Sequence, residues 1–118
     1  DFINAAVSGI WGESLALLHS KCKEIEIKCG RPLKHPRWDS RTLDIDIVFF
    51  GQKVFSNKNI TVPHKEALNR LFVLVPVSDI EPGFMIPGKE IAVSKYIELL
   101  GRKKEILKMI AKSIKLDL

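Results

Sequence analysis

Several features that mark whole classes of protein are missing from this sequence. No apolar run approaches the roughly 20 residues that a helix needs to cross a bilayer, so we expect no membrane partner. The opening residues, DFINAAVSGIW, include neither a methionine nor the basic stretch of a signal peptide, which suggests a chain that begins in mid-sequence. Internal repeats and low-complexity segments are also absent. These absences favour an ordinary soluble globular domain.

Two further absences concern chemistry. Cysteine occurs only as Cys22 and Cys29, seven positions apart in a stretch of helical periodicity and too far along it for a comfortable disulfide. We therefore expect free thiols in a reducing cytoplasm rather than a disulfide or a metal pair. A Gly-rich phosphate loop of the form G-x-x-x-x-G-K-[ST] is missing as well. A nucleotide would therefore have to be held by side chains and metal.

The overall composition predicts one domain, residues 1–118, that binds an anionic partner. Apolar residues make up 46% of the chain, charged residues 28%, and the net charge is +5. Part of the positive charge lies in residues 102–118, which we interpret as a C-terminal helix or the start of a linker, with lysines on a solvated face. Another part lies in a proline-containing loop, residues 28–41, directly before a pair of aspartates.

The periodicity predicts an α+β fold with helices packed on a mixed or antiparallel sheet. Residues 2–11 and 42–51 are predicted strands, the second being the clearest in the chain. An apolar stripe predicts a helix over residues 12–29, and Gly30 is its stop signal. Residues 52–64 predict a hairpin with a polar turn.

Prolines guide the prediction for the rest of the chain. From Glu66 onward we expect short helical segments broken by Pro76, Pro82 and Pro87. Residues 94–116 then predict one or two terminal helices around Gly101.

Asp44 and Asp46 form the first candidate site. On a strand, side chains two positions apart point to the same face, so both carboxylates project together while Ile45 and Ile47 face the opposite side. Two adjacent like charges need a compensating partner. Mg²⁺ would suit them, because it prefers oxygen ligands and usually keeps waters beside substrate phosphates. A solvated strand face, or ion pairs with nearby arginines, would also explain the pattern.

The loop before the aspartates supplies cations and an aromatic ring. Arg31, Arg37 and Arg41 are suited to bidentate binding of phosphate oxygens. Cations beside a carboxylate pair are what phosphoryl transfer requires, since that chemistry depends on positioning and charge neutralisation. Trp38 would either cap the core or stack on a flat ligand.

The stretch VPHKEALNRLF adds three residues of less certain role. His64 and Arg70 could form a second cationic group facing the loop arginines, although a lone histidine is more often structural. Phe72 is equally well explained as a core residue.

Together these motifs resemble a known family. RWDSRTLDIDIVFFG, followed by TVPHKEALNRLFVLVPVSDIEP, is similar to the 6-hydroxymethyl-7,8-dihydropterin pyrophosphokinases of folate biosynthesis, whose signature is RW-x-x-R-x-L-D-x-D-I, then V-P-H, then R-x-F-V-L-x-P. The resemblance extends to about Pro87. It implies a ferredoxin-like α/β sandwich and an enzyme that transfers pyrophosphate from ATP to the hydroxymethyl oxygen of the pterin, giving AMP.

The resemblance also implies roles for individual residues. Two Mg²⁺ ions would be held by Asp44 and Asp46, which with Arg31 and Arg41 would form the catalytic group. The pterin would be bound by Phe2, Asn4, Trp38, Asp44 and Phe72. The ATP would be bound by Glu26, Arg31, Trp38, Arg41, Ile47, Thr61, His64 and Arg70.

Some positions depart from the family pattern. Leu33 stands where many relatives have a second loop arginine, Phe2 replaces a frequent tyrosine, and Asp39–Ser40 replace a common Gly-Pro. The strand and helix that open the family domain precede the segment matching DFINAAV, so we expect this chain to be N-terminally incomplete. Some members are fused to dihydropteroate synthase, which makes that enzyme a possible partner.

Two other functions compete with this one. A non-catalytic basic module would bind nucleic acid or another polyanion through the loop and Trp38, with affinity that falls steeply with salt and needs no divalent metal. A catalytically silent relative is the third possibility, with Leu33 as its only sign. The kinase interpretation expects no nucleic-acid partner.

Overall fold

The fold is α+β in the computed structural model, which describes residues 4–30 and 43–113. Within these ranges no helix is long and apolar enough to span a membrane. Three helices, one short 3₁₀ turn and two small antiparallel hairpins are present in the described residues. In chain order they are α1 (Leu15–Lys28), β1 (Phe55–Ser56), β2 (Thr61–Val62), the 3₁₀ turn (Ala67–Asn69), α2 (Leu71–Ile80), β3 (Met85–Ile86), β4 (Ile91–Ala92) and α3 (Val93–Ser113).

Helix α1 confirms the helix predicted over residues 12–29, with both of its ends set by the sequence. The Ser14 side chain accepts a hydrogen bond from the Leu17 amide at 3.1 Å, which satisfies one of the free donors of the first turn. At the other end Gly30 has a φ of +101°, a left-handed conformation that favours glycine and ends the helix. The predicted apolar stripe is only partly buried, since Leu15 is 5% exposed and Ile25 is 46% exposed.

The hairpin predicted in residues 52–64 is confirmed. β1 and β2 pair antiparallel, with Phe55 opposite Val62 and Ser56 opposite Thr61. The turn between them is closed by Asn57, whose side-chain oxygen accepts from the amides of residues 59 and 60 at 2.8 Å. Val62 is buried, which places the far end of the hairpin against the core.

Neither of the two longest predicted strands forms a ladder in the described residues. Residues 4–11 and 43–50 have no assigned strand partner, so the predictions of strands over residues 2–11 and 42–51 are wrong for the parts that the structure describes. In the first segment Val7 and Ile10 are 95% and 103% exposed, with little packed against them. A β-strand needs a neighbouring backbone, and alternating side chains alone do not provide one.

The segment 43–50 is nevertheless tied to three other parts of the fold. The Val48 carbonyl accepts from the His64 amide at 2.9 Å, and the Ile45 amide donates to the Glu26 side chain. The ring of Phe49 lies 4.8 Å from that of Phe84, just before β3. The Glu26 carboxylate of α1 therefore accepts a hydrogen bond from a backbone amide that would otherwise be available to a neighbouring strand.

The core lies between α2, α3 and the second hairpin. Leu74, Ile86 and Val93 are each at most 1% exposed. Helix α2 runs through Pro76, so the predicted break there is wrong, and the helix ends at Ile80, shortly before Pro82. Pro76 removes one backbone donor, and packing of α2 against the 3₁₀ turn and α3 offsets that loss. The β3–β4 hairpin stands where helical segments were predicted.

Helix α3 is one continuous helix through Gly101, which decides between the one or two terminal helices expected there. Its side chains hold the 3₁₀ turn from two points: the Tyr96 hydroxyl donates to the Leu68 carbonyl at 2.7 Å, and Lys104 Nζ donates to the Asn69 carbonyl at 3.0 Å. These bonds fix the turn that leads into α2. The assignment of residues 1–118 to a single domain, with 102–118 as a helix or linker, stays a prediction.

Candidate active site

A cleft of about 340 Å³ brings together several of the residues that the sequence singled out. It lies between α1, the segment 43–50 and the chain from the first hairpin turn to the residues after β2. Four predicted site residues line it: Asp46, Ile47, Thr61 and His64. The other lining residues are His19, Lys23, Ile45, Asn59, Ile60, Lys65 and Glu66.

The carboxylates follow the predicted alternation even though no ladder forms. Asp44 and Asp46 are exposed, whereas Ile45 and Ile47 are half-buried. The Asp46 side chain is 61% exposed and faces the cleft. Exposure therefore alternates along residues 44–47 as the sequence predicts, and of the two carboxylates only Asp46 lines the cleft.

His64 is oriented by hydrogen bonds on both its backbone and its ring. Its amide donates to the Val48 carbonyl, and its Nδ1 accepts from the Ala67 amide at 3.2 Å. Because Nδ1 is an acceptor in this bond, the ring proton of neutral His64 lies on Nε2. That Nε2–H faces Asp46 Oδ1 at 3.8 Å, a distance longer than a hydrogen bond but close enough for electrostatic attraction. His64 thus presents a donor toward the cleft.

Glu26 is the buried carboxylate beside this cleft, 1% exposed. Its Oε1 accepts from Lys23 Nζ at 3.2 Å, and its Oε2 accepts from the Ile45 amide at 2.6 Å. The resemblance predicts that Glu26 contacts ATP. That contact stays a prediction, while the structure shows both carboxylate oxygens engaged by the chain itself.

Arg70 and Phe72 lie at the start of α2 and are not among the cleft-lining residues. Arg70 pairs with Glu66, a lining residue, at 3.6 Å, which connects it to the cleft edge. Its guanidinium lies 5.9 Å from the centre of the Phe72 ring. Phe72 is 56% exposed, so the interpretation of this ring as a core residue is wrong.

The remaining predicted site residues lie before α1 or outside the described ranges. Asn4 is an exposed residue of the segment before α1, and its pterin contact stays a prediction. Phe2, Arg31, Trp38 and Arg41 lie outside the described residues, as do the candidate phosphate-binding Arg37 and the departures from the family pattern at Leu33, Asp39 and Ser40.

Three basic side chains in the cleft lining were not predicted from the sequence. His19 and Lys23 are four residues apart on α1, the spacing that places side chains on one helix face. Lys65 directly follows His64. Their helical spacing is the signal in the sequence that could have found them, whereas the apolar stripe predicts only that α1 forms. These residues make the cleft more positive than the motifs alone implied.

The donor set near Asp46 fits magnesium bound together with a ligand, rather than a closed protein cage. Across the described ranges, no cluster of three or more His, Cys, Asp or Glu side chains is arranged to hold a metal. Mg²⁺ is commonly bound by one or two carboxylates, with water and substrate phosphates completing its six positions. Asp44 and Asp46 are suitable carboxylates of this kind, since both are exposed.

The two cysteines are free thiols with different surroundings, and we expect different reactivity. Burial, with a smaller contribution from the Glu26 charge, raises the pKa of the Cys22 thiol, whereas Cys29 is exposed. A raised pKa leaves less thiolate at a given pH. Iodoacetamide at pH 8 should therefore modify Cys29 faster than Cys22, and the Cys22 rate should still be rising at higher pH. Mass spectrometry of timed samples measures both rates, and equal rates with equal pH dependence would contradict the prediction.

The described residues thus have an α+β fold with a cleft lined by charged side chains. The chain belongs to the 7,8-dihydro-6-hydroxymethylpterin-pyrophosphokinase (HPPK) family, whose sequence model matches residues 1–82. This confirms the resemblance drawn from the RW-x-x-R-x-L-D-x-D-I, V-P-H and R-x-F-V-L-x-P motifs.

Curated relatives match only part of their length. The chain is 34% identical over 91 residues to the 2-amino-4-hydroxy-6-hydroxymethyldihydropteridine pyrophosphokinase of Haemophilus influenzae, covering 77% of this chain and 56% of the relative. It is 34% identical over 98 residues to the protein of the same name from Synechocystis, covering 83% and 50%. A Lactococcus lactis protein named bifunctional protein FolKE is 47% identical over 57 residues, covering 48% and 16%. The chain thus spans about half the length of the first two relatives.

Proposed function

We propose that the protein transfers pyrophosphate from ATP to 6-hydroxymethyl-7,8-dihydropterin, giving AMP and the pterin diphosphate, in folate biosynthesis. The observation that carries the proposal is the cleft, in which Asp46, Ile47, Thr61 and His64 converge from two separate stretches of sequence. These four residues belong to motifs shared with a family whose relatives are named for this activity.

The charges in the cleft suit a polyphosphate. Lys23, Lys65 and the His64 Nε2–H supply donors, and Asp46 stands 3.8 Å from His64 as the carboxylate partner. Charge on the transferring phosphoryl group is spread over its oxygens, so catalysis depends on fixed donors and cations around it. His64 would donate to a phosphate oxygen, and Arg70 would add charge from the Glu66 side of the cleft.

Magnesium would be held by Asp44 and Asp46, and when bound it would neutralise phosphate charge. The chain's own contribution is to keep these carboxylates on one side of an extended segment. Phe72 would stack on the pterin ring with its exposed face, together with the predicted contacts of Phe2, Asn4 and Trp38. Arg31 and Arg41 would complete the phosphate-binding group.

Three further features belong to the proposal. The described α+β elements would form part of a ferredoxin-like sandwich. The protein would act in the cytoplasm, where its thiols stay reduced. A second folate enzyme would work beside it or be fused to it, in keeping with the relatives named as bifunctional; dihydropteroate synthase is the predicted partner.

The direct test supplies the intact natural protein with ATP, Mg²⁺ and 6-hydroxymethyl-7,8-dihydropterin, and measures AMP by chromatography. AMP should form only when all three are present, and ADP should not accumulate. A matched binding experiment with single-stranded DNA across a salt series tests the basic-module function. Tight, metal-independent DNA binding without AMP formation would replace the kinase proposal with that alternative.

A further inference from the structure

Glu26 is the one charged side chain that the described residues bury, and its position is unusual for a helix surface. Its side chain is 2% exposed, whereas its partner Lys23 is 51% exposed. A carboxylate without water is costly to bury unless its oxygens are hydrogen-bonded. One carboxylate oxygen of Glu26 accepts from Lys23, three residues earlier on the same helix. The other accepts from the backbone of the segment 43–50.

The distant contact falls between the two candidate metal carboxylates. Oε2 of Glu26 accepts from the Ile45 amide at 2.6 Å across 19 residues of sequence, the short distance of a charge-assisted bond. Ile45 stands between Asp44 and Asp46. In an extended segment the direction of one amide fixes the face on which the flanking side chains emerge. This bond therefore constrains which way both carboxylates point.

The bond also compensates for the absent ladder. Among the described elements, segment 43–50 has no strand partner, and an extended segment held by few backbone bonds can rotate or slip by one residue. A one-residue slip would turn Asp46 away from the cleft that it lines. Glu26 connects the segment to α1 at the point where such a slip would matter most.

We infer that Glu26 is a positioning residue, which fixes the Ile45 backbone and thereby the direction of Asp44 and Asp46 toward the metal. The inference rests on the proposed function only in taking those aspartates as the metal-binding pair. Lys23 is the secondary partner: it balances the charge of Glu26 from the cleft side. A matched control lies on the same helix, since Lys21 and Glu24 pair at 3.3 Å with the same spacing but are about half exposed.

The test compares Glu26→Ala, Glu26→Gln, Lys23→Met and the control Glu24→Ala in the intact protein. Two readouts need no turnover: binding of Mn²⁺ in the presence of a non-hydrolysable ATP analogue, followed by electron paramagnetic resonance, and hydrogen exchange of the Ile45 amide by NMR. Glu26→Ala should weaken Mn²⁺ binding by about 10- to 100-fold, the usual effect of losing a residue that orients a metal ligand. It should also speed exchange at Ile45 more than at α2 amides.

The other variants separate positioning from simple stability. Glu26→Gln keeps an oxygen acceptor for Ile45 and should recover part of the Mn²⁺ affinity, while Lys23→Met should have a smaller effect and Glu24→Ala none. If Glu26→Ala does not fold, the glutamine variant decides by the same readouts. Unchanged Mn²⁺ binding in folded Glu26 variants, or faster exchange spread evenly over the chain, would overturn the inference. Absence of AMP from the wild-type protein would instead count against the proposed function, and the Mn²⁺ and exchange results would still decide the role of Glu26.

Discussion

Asp46→Asn is expected to reduce AMP formation from ATP and the pterin by at least about 100-fold, because it removes a charge that, under the proposed function, would hold Mg²⁺ beside the transferring phosphate. The side chain is 61% exposed, so its replacement should leave the folded structure intact. The amide would also weaken the electrostatic attraction between residue 46 and the His64 ring, whose Nε2 lies 3.8 Å from Asp46 Oδ1. Steady-state kinetics across a Mg²⁺ series measures the effect, and the Mg²⁺ needed for half-maximal rate should rise.

Asp79→Asn is the matched control for this substitution. Asp79 is an exposed aspartate on α2, and it does not line the cleft. The Asp79→Asn variant should retain wild-type kinetics, which would show that losing one negative surface charge is not sufficient to reduce AMP formation. Asp44→Asn should behave like Asp46→Asn. Normal turnover by both of these variants would contradict the assignment of the metal to this pair.

The alternation of exposure along residues 44–47 was predictable from the sequence. The lack of a strand partner for this segment among the described residues was not. Side-chain direction is local, since it follows from an extended backbone at each residue in turn. Strand pairing is non-local and depends on which backbone lies alongside. The Ile45 amide meets Glu26 instead, a contact that no periodicity in either segment reveals. The predicted alternation of exposure is therefore present in residues 44–47, where the predicted strand is not.

The elements around Pro76 show a second limit of local patterns. Proline costs a helix one backbone hydrogen bond, which predicts a break, yet α2 continues through Pro76. Leu74 of the same helix is fully buried, and α2 packs against the 3₁₀ turn and α3. Residues 85–92 form a hairpin whose strands are only two residues long, too short for any periodicity to appear. Tertiary packing decides both cases.

The candidate site was predicted as far as its motifs reach. Asp46, Thr61 and His64 stand in strongly patterned stretches and meet in one cleft. His19 and Lys23 carry no motif, and they reach the cleft only because α1 packs beside the segment 43–50. Residues that reach a site through the packing of a helix leave only their spacing in the sequence as a signal.

Leu74→Ala is expected to lower the free energy of unfolding by about 2–5 kcal/mol, the largest stability effect in the described core. Leu74 is fully buried, and its helix packs against the 3₁₀ turn and α3. Truncation removes apolar contacts and leaves a cavity that the surrounding helices fill only partly. Urea unfolding of the intact protein, followed by circular dichroism, measures the change.

Two control substitutions test whether the loss comes from burial and volume at residue 74: Val75→Ala and Leu74→Met. Val75 is adjacent on α2 but 44% exposed, so its truncation should cost no more than about 1 kcal/mol. Leu74→Met conserves volume and should cost less than about 1.5 kcal/mol. Equal losses at Leu74 and Val75 would contradict the packing described for α2.

α2 begins directly after Arg70 and carries Phe72. Leu74→Ala should therefore also weaken pterin binding at denaturant concentrations too low to unfold the protein, whereas Val75→Ala should not.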